Sequence, residues 1–427
     1  MSNNTLRFGP ETITRTQLSN GMILLVTRTT HTESLVVSGR LDTGSARDPQ
    51  DKLGLADFTA GLLNRGTQKR GFAELHEGLE SRAASLGFSS GQDGTMFRGK
   101  ALAEDASFLF EMLAECLSQP AFPPEYAERY RTQLLTSLAM RDQEPGDVAG
   151  MLLDEMLFPD HPFGRPEDGS VQSVKAITRA DISAFHAAHY GPARAMIAVA
   201  GALEPQQVVD LAENTLGKWK NPAQSARLAI SMPARLASEQ RRHRFIPEKS
   251  QSEVLMACLG PRRSDPEFLD AYVGNHILGV FGLMGRIGDS VREKAGLAYY
   301  AASTLAAGAE VGVWEFSAGV NPKNRERAIA LMKEEIRKFM QEPVSPEELA
   351  DSQAFLVGSL PLALESNNGL AAAMLNMERY KLGLDYQQRY PDLVRAVSRE
   401  SVLAAARHHL DADSLAIASA GPGENIP

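Results

Sequence analysis

Cysteine and tryptophan are scarce in this chain, two of each among 427 residues. Cys116 and Cys258 stand far apart in apolar surroundings, so no disulfide framework and no cysteine metal or redox motif is expected, and both read as buried free thiols. No run of eighteen apolar residues occurs, which argues against a membrane-spanning helix. The opening MSNNTLRFGPETITRTQL has no apolar signal core. A cytoplasmic location is therefore expected, or a periplasmic one if a signal has been removed. Basic residues are outnumbered, 44 against 53 acidic, for a net charge of −9, which disfavours nucleic acid as a partner. The basic cluster Arg241-Arg242-His243-Arg244 is short and reads as part of a solvated linker. Low-complexity tracts are missing too, and 43% hydrophobic with 23% charged residues is the balance of an ordinary globular chain. At this length more than one hydrophobic core is expected.

What the chain does contain is an internal repeat. Ile177-Thr178-Arg179-Ala180-Asp181-Ile182-Ser183-Ala184 returns as Val397-Ser398-Arg399-Glu400-Ser401-Val402-Leu403-Ala404, an offset of 398 − 178 = 220. Each copy begins with a hydroxyl residue placed as a helix N-cap. The following apolar runs, Ala195 to Gly201 and Leu415 to Gly421, keep the same offset and read as buried strands stopped by glycine. The front halves correspond more loosely, Leu35-Val36-Val37 before Asp48-Pro49 against Val254 to Cys258 before Asp265-Pro266. A duplicated domain accounts for all of these pairs. Domain one is placed at 1–222, an extended linker at 223–243 and domain two at 244–427. Short runs such as Met22 to Val26 read as strands, whereas Ala106 to Leu117 and Glu125 to Arg141 carry helical spacing. The mixture predicts an α+β fold, with helices on one face of a mixed or antiparallel sheet in each domain.

One segment, Gly54-Leu55-Ala56-Asp57-Phe58-Thr59-Ala60-Gly61-Leu62-Leu63-Asn64-Arg65-Gly66-Thr67, resembles the zinc helix of the M16 (pitrilysin-type) peptidases, whose frame reads G-L-A-H-F-x-E-H-x-L-x-x-G-T. The series Asp160-His161-Pro162-Phe163-Gly164-Arg165-Pro166, Gly169, Ile177-Thr178 and His189-Tyr190-Gly191-Pro192 follows the order and spacing of that family, so the likeness spans nearly the whole chain. Histidines at i and i+4 share one helical face and can hold a single zinc while the intervening glutamate takes a proton from bound water. In this chain the resemblance puts Asp57 and Gly61 at the two histidine positions and Ala60 at the glutamate. The family's third ligand falls near Leu134 to Leu138, where no acidic residue stands. No metal is therefore expected in this chain.

A second motif is intact. Leu278-Gly279-Val280-Phe281-Gly282-Leu283-Met284-Gly285-Arg286-Ile287, then Val291-Arg292-Glu293-Lys294-Ala295-Gly296-Leu297-Ala298-Tyr299, resembles the family's Gly-rich loop and R-E-x-x-G-L-A-Y. The resemblance makes Arg292 and Tyr299 substrate-contacting residues. Local pattern places Arg292 in a last helical turn, Gly296 at C′ and Leu297 at the start of a strand. The alternative is an Arg292 paired with Glu293 or Glu315 and a half-buried Tyr299. The remaining histidines, His161, His186 with His189, and the adjacent His408-His409 whose side chains diverge by roughly 100° on a helix, read as structural or surface residues.

Together these readings imply a non-catalytic, substrate-binding subunit of a heterodimeric zinc endopeptidase. The expected partner is a homologous subunit bearing the zinc motif, which would hold the zinc, and the expected substrates are unfolded peptides. Alternatives are a structural or peptide-binding homologue without proteolysis, comparable to the family's core subunits in respiratory complexes, and an independent hydrolase using Asp57.

Overall fold

The computed structural model describes residues 8–423. Its strands are β1 (Ile13–Gln17), β2 (Ile23–Arg28), β3 (Ser34–Leu41), β4 (Ser85–Ser90), β5 (Thr95–Leu102), β6 (Met196–Gly201), β7 (Gln240–Phe245), β8 (Ser252–Gly260), β9 (Ala298–Ala307), β10 (Gly312–Val320) and β11 (Ala416–Gly421). They form two sheets, ordered β1-β2-β6-β3-β5-β4 and β7-β11-β8-β10-β9. In the first, only β2 and β6 run parallel; in the second, only β7 and β11 do. Apart from the extra strand β1, the second order is the first rewritten with β7 for β2, β11 for β6, β8 for β3, β10 for β5 and β9 for β4. The chain is α+β and duplicated, as the 220-residue repeat requires.

The repeat holds to the residue at its strongest point. Helices Arg179–His189 and Arg399–His409 are both opened by a reciprocal cap: the Thr178 hydroxyl accepts from Asp181 N–H, and the Ser398 hydroxyl accepts from Ser401 N–H. Such caps satisfy amide donors that the first helical turn otherwise leaves unpaired. Helices Ala106–Ser118 and Pro124–Arg141 form where apolar residues recur at helical spacing. Their buried residues, Leu109, Phe110, Leu113, Leu134 and Leu138 among them, join Val26, Val37, Phe97 and Val199 of the first sheet in one core. A second core gathers Met256, Trp314, Phe316 and Ile417 with Ile277, Ile336, Phe339 and Val402. The fully buried Trp314 has its indole N–H satisfied by Asn275 Oδ1 at 2.9 Å, so the second core holds a large ring with no orphaned donor.

Neither compact unit is a contiguous half of the chain. One comprises the residues up to Leu138, Pro166–Ala229 and Leu360–Gln388, and the other Ala139–Arg165, Ile230–Ser359 and the residues from Arg389 onward. Within the first unit, helix Asn367–Arg379 packs on β6 and β3; within the second, helix Pro145–Leu157 packs on β11 and β8. Each sheet is thus covered by a helix from the other half of the sequence. The basic cluster is not linker. Arg241 to Arg244 lie in edge strand β7, parallel to β11, because extended backbone there completes the sheet while its exposed side chains find acids: Arg241 pairs with Glu239 at 2.6 Å, and Arg242 with Glu155 at 2.8 Å. Among the described residues no helix is long and apolar enough to cross a membrane.

Candidate functional site

Helix Leu55–Leu62 starts where Asp48 accepts the amides of Gly54 and Ala56 at 2.8 and 2.9 Å, a carboxylate set against the positive end of the helix. Burial nevertheless pushes the Asp48 carboxyl up to about 7. Ala60 is buried and Asp57 half-buried. The position of Gly61 explains its residue type: a β-carbon there would lie 2.1 Å from the ring of Tyr130. That ring also meets Phe58 edge-on at 5.4 Å between centroids, and its hydroxyl donates to Asp57 Oδ2 at 3.3 Å. Tyr130 stands one turn before Leu134 on helix Pro124–Arg141, so the ring extends that helix's buried face over the segment Asp57 to Gly61. Burial, with the nearby Asp168, raises the Asp57 carboxyl to about 6.

This arrangement does not fit a catalytic zinc. Asp57 is one oxygen ligand, Gly61 offers none, and the volume where a second ligand would reach is filled by an aromatic ring. The region is packed around Tyr130. Sequence reading missed that residue, although an aromatic one turn before Leu134 and Leu138 on a predicted helix was the available signal.

Arg292 and Tyr299 lie on consecutive elements of the second unit. The helix predicted to end near Arg292 ends in a wide turn, Asp289–Lys294, with i→i+5 character. Gly296 then takes φ +63°, the left-handed C′ position, and its N–H donates to the Arg292 carbonyl at 3.1 Å. Arg292 is part-exposed and its guanidinium is 3.4 Å from Glu293. Strand β9 follows at once and is an edge strand. Its register against β10 shifts at this point: Tyr300 opposes Gly319 and Ala298 opposes Val320, which leaves Tyr299 as the extra residue of a bulge. Tyr299 is accordingly 79% exposed, where the bland reading had it half-buried. The neighbouring Tyr300 turns the other way, lies against Gly319 and donates to Glu253.

The other histidines are distributed as follows. His161 closes its turn, Nδ1 accepting from Phe163 N–H at 3.1 Å and Nε2 meeting the Ser231 carbonyl. His186 contacts the Leu117 carbonyl and His189 the Ser225 hydroxyl, and burial lowers both to about 4, so each is neutral at pH 7. His408 and His409 do not diverge into separate surroundings. Both reach the same carboxylate oxygen of Glu267. In the first unit, a cavity of about 480 Å³ lies along edge strand β4 and its neighbour β5, lined by Phe88, Met96, Phe97 and Leu375 among others.

A two-domain α+β duplication that carries the frame of a zinc helix without its histidines and glutamate defines a peptidase-like scaffold. Comparison with known proteins agrees. Residues 24–167 match the family described as insulinase (peptidase family M16), and residues 176–356 match the peptidase M16 inactive domain. An uncharacterized zinc protease of Streptomyces coelicolor is 25% identical over 406 residues, spanning 93% of this chain and 87% of that protein. The human mitochondrial cytochrome b-c1 complex subunit 1 is 27% identical over 276 residues, 64% of this chain and 56% of that one. A crystal structure described as a peptidase M16 inactive domain from Pseudomonas fluorescens superimposes with a TM-score of 0.90 at 25% identity, covering 97% of this chain and all of that one. The chain belongs to the M16 peptidase family.

Proposed function

We propose that this protein is the non-catalytic, substrate-binding subunit of a heterodimeric M16 zinc endopeptidase, paired with a homologous subunit that carries the zinc motif. The observation that carries the reading is packing where the family frame has its zinc site: the Tyr130 ring lies where a Gly61 side chain would be, and its hydroxyl donates to the Asp57 carboxyl. Such a helix cannot activate water, so hydrolysis in the complex falls to the partner's zinc and glutamate. On this chain, the exposed Tyr299 at the β9 bulge can donate its hydroxyl to a peptide carbonyl as negative charge develops, and Arg292 can offer paired donors to the same backbone. Edge strands β4 and β9 have an open side that suits an extended peptide, whose backbone pairing places little demand on its sequence.

The test is reconstitution. The pure chain is assayed on a long flexible peptide alone and then with a zinc-motif homologue. Cleavage should require the mixture, and zinc-dependent cleavage by the pure chain would refute the assignment. A second reading, a structural subunit without proteolysis, draws support from the similarity to a cytochrome b-c1 complex subunit. It predicts a stable pair that never cleaves peptide.

A further inference from the structure

Glu267 immediately precedes helix Phe268–Gly279, while His408 and His409 close helix Arg399–His409. Glu267 Oε2 lies 2.6 Å from His408 Nδ1 and 3.1 Å from His409 Nε2, and the three ligand-capable atoms all lie within 4.8 Å of one another. Adjacent helical residues diverge by about 100°. The convergence arises because one imidazole presents its near nitrogen and the other its far nitrogen.

We infer that Glu267, His408 and His409 form a zinc site, distinct from the degenerate helix, that clips the C-terminal end of one helix to the start of another. Two imidazoles and a carboxylate are a donor set that zinc takes readily, with bonds of about 2.0–2.2 Å; tetrahedral geometry then needs ligand atoms roughly 3.3 Å apart. The two nitrogen–oxygen spacings, 2.6 and 3.1 Å, lie just below that value and the third is within 4.8 Å, so side-chain movement alone brings the three donors into range. Access is open as well: His408 is largely exposed and Glu267 partly so, which leaves a fourth position to water, whereas His409 is only 7% exposed and anchors the site. The carbonyl end of helix Arg399–His409 adds partial negative charge under the ion.

Without metal, each of these ring nitrogens donates its N–H to the carboxylate, so zinc binding requires each imidazole to take its other tautomer. Arg235 competes with zinc. Its guanidinium donates to the His408 carbonyl and lies 3.4 Å from His409 Nδ1. Zinc on Nε2 obliges Nδ1 to carry the proton, and that nitrogen then no longer accepts from Arg235.

The test is zinc titration of the whole chain by equilibrium dialysis at pH 8, paired with thermal unfolding. One zinc per chain is expected, with a rise in Tm, and affinity should fall tenfold or more in Glu267→Gln and in His408→Ala. Arg235→Met should tighten binding, since it removes a charge and a competing donor. Asp57→Asn should leave the titration unchanged, which separates this site from the degenerate helix. No zinc binding by the wild-type chain, or undiminished binding in both ligand variants, overturns the proposal. His408→Ala leaves an exposed position and tests binding even where Glu267→Gln perturbs the helix start.

Discussion

Asp57 is a residue whose burial carries a stability cost. Its carboxyl binds a proton more tightly in the folded protein, about 6 against an ordinary 3.8, because burial penalises the charged form. The sign follows from linkage: this group favours the folded state below about pH 4, and that contribution is lost as pH rises through 6. Asp57→Asn should therefore stabilise the protein at pH 8, by about 1–2 kcal/mol once partial exposure is allowed for, with the gain vanishing near pH 4. Chemical denaturation of both proteins across that range checks it. A difference independent of pH would contradict the raised carboxyl.

Gly61 supplies a second residue-scale prediction. Gly61→Ala drives a methyl group into the Tyr130 ring and should cost about 1–3 kcal/mol by overpacking. In Tyr130→Ala the same change should cost much less, since the obstructing ring is gone. A double-mutant cycle reads the coupling directly, and strictly additive effects would place Tyr130 elsewhere. It also follows that histidines restored at positions 57 and 61 would not rebuild a zinc site while Tyr130 remains. The sequence shows that the ligands are gone, but a loss of ligands and a repacked site look the same in one dimension. Only the fold brings Tyr130 over Gly61.

At the scale of the element, the bulge in β9 separates two adjacent tyrosines. Tyr299 is exposed and bears no packing, so Tyr299→Phe should leave stability within about 0.5 kcal/mol of wild type. In the reconstituted pair it should lower kcat, and unchanged turnover would remove Tyr299 from the proposed role. Tyr300→Phe should show the opposite pattern, because it leaves the half-buried Glu253 carboxylate short of a donor. Both tyrosines, and the break at Gly296, were legible as a helix end followed by a strand. The bulge was not, since it is a register between β9 and β10 that depends on residues near Gly319.

For the whole molecule, the exchanged helices decide how the chain can be divided. A fragment ending near residue 222 retains helix Pro145–Leu157, which belongs on the second sheet, and lacks helix Asn367–Arg379, which covers the first. Fragments 1–222 and 244–427 should each melt without a sharp cooperative transition and regain one when mixed. Circular dichroism on the fragments alone and combined measures this; two independent cooperative melts would contradict it. The physical reason is that each sheet buries part of one face only under a helix from the other half.

The sequence by itself determined the duplication, the α+β class, the family and the presence of Asp57, Ala60 and Gly61 where the family frame has histidine, glutamate and histidine. These are carried by local periodicity, capping residues and the spacing of a motif, all of which act over a few turns of chain. The tertiary structure alone decided the exchanged helices, the strand formed by Arg241 to Arg244, the Tyr130 ring over Gly61 and the meeting of His408 and His409 at Glu267. Each of these joins residues tens to hundreds of positions apart, and such contacts are fixed by how cores close and sheets pair rather than by any local pattern.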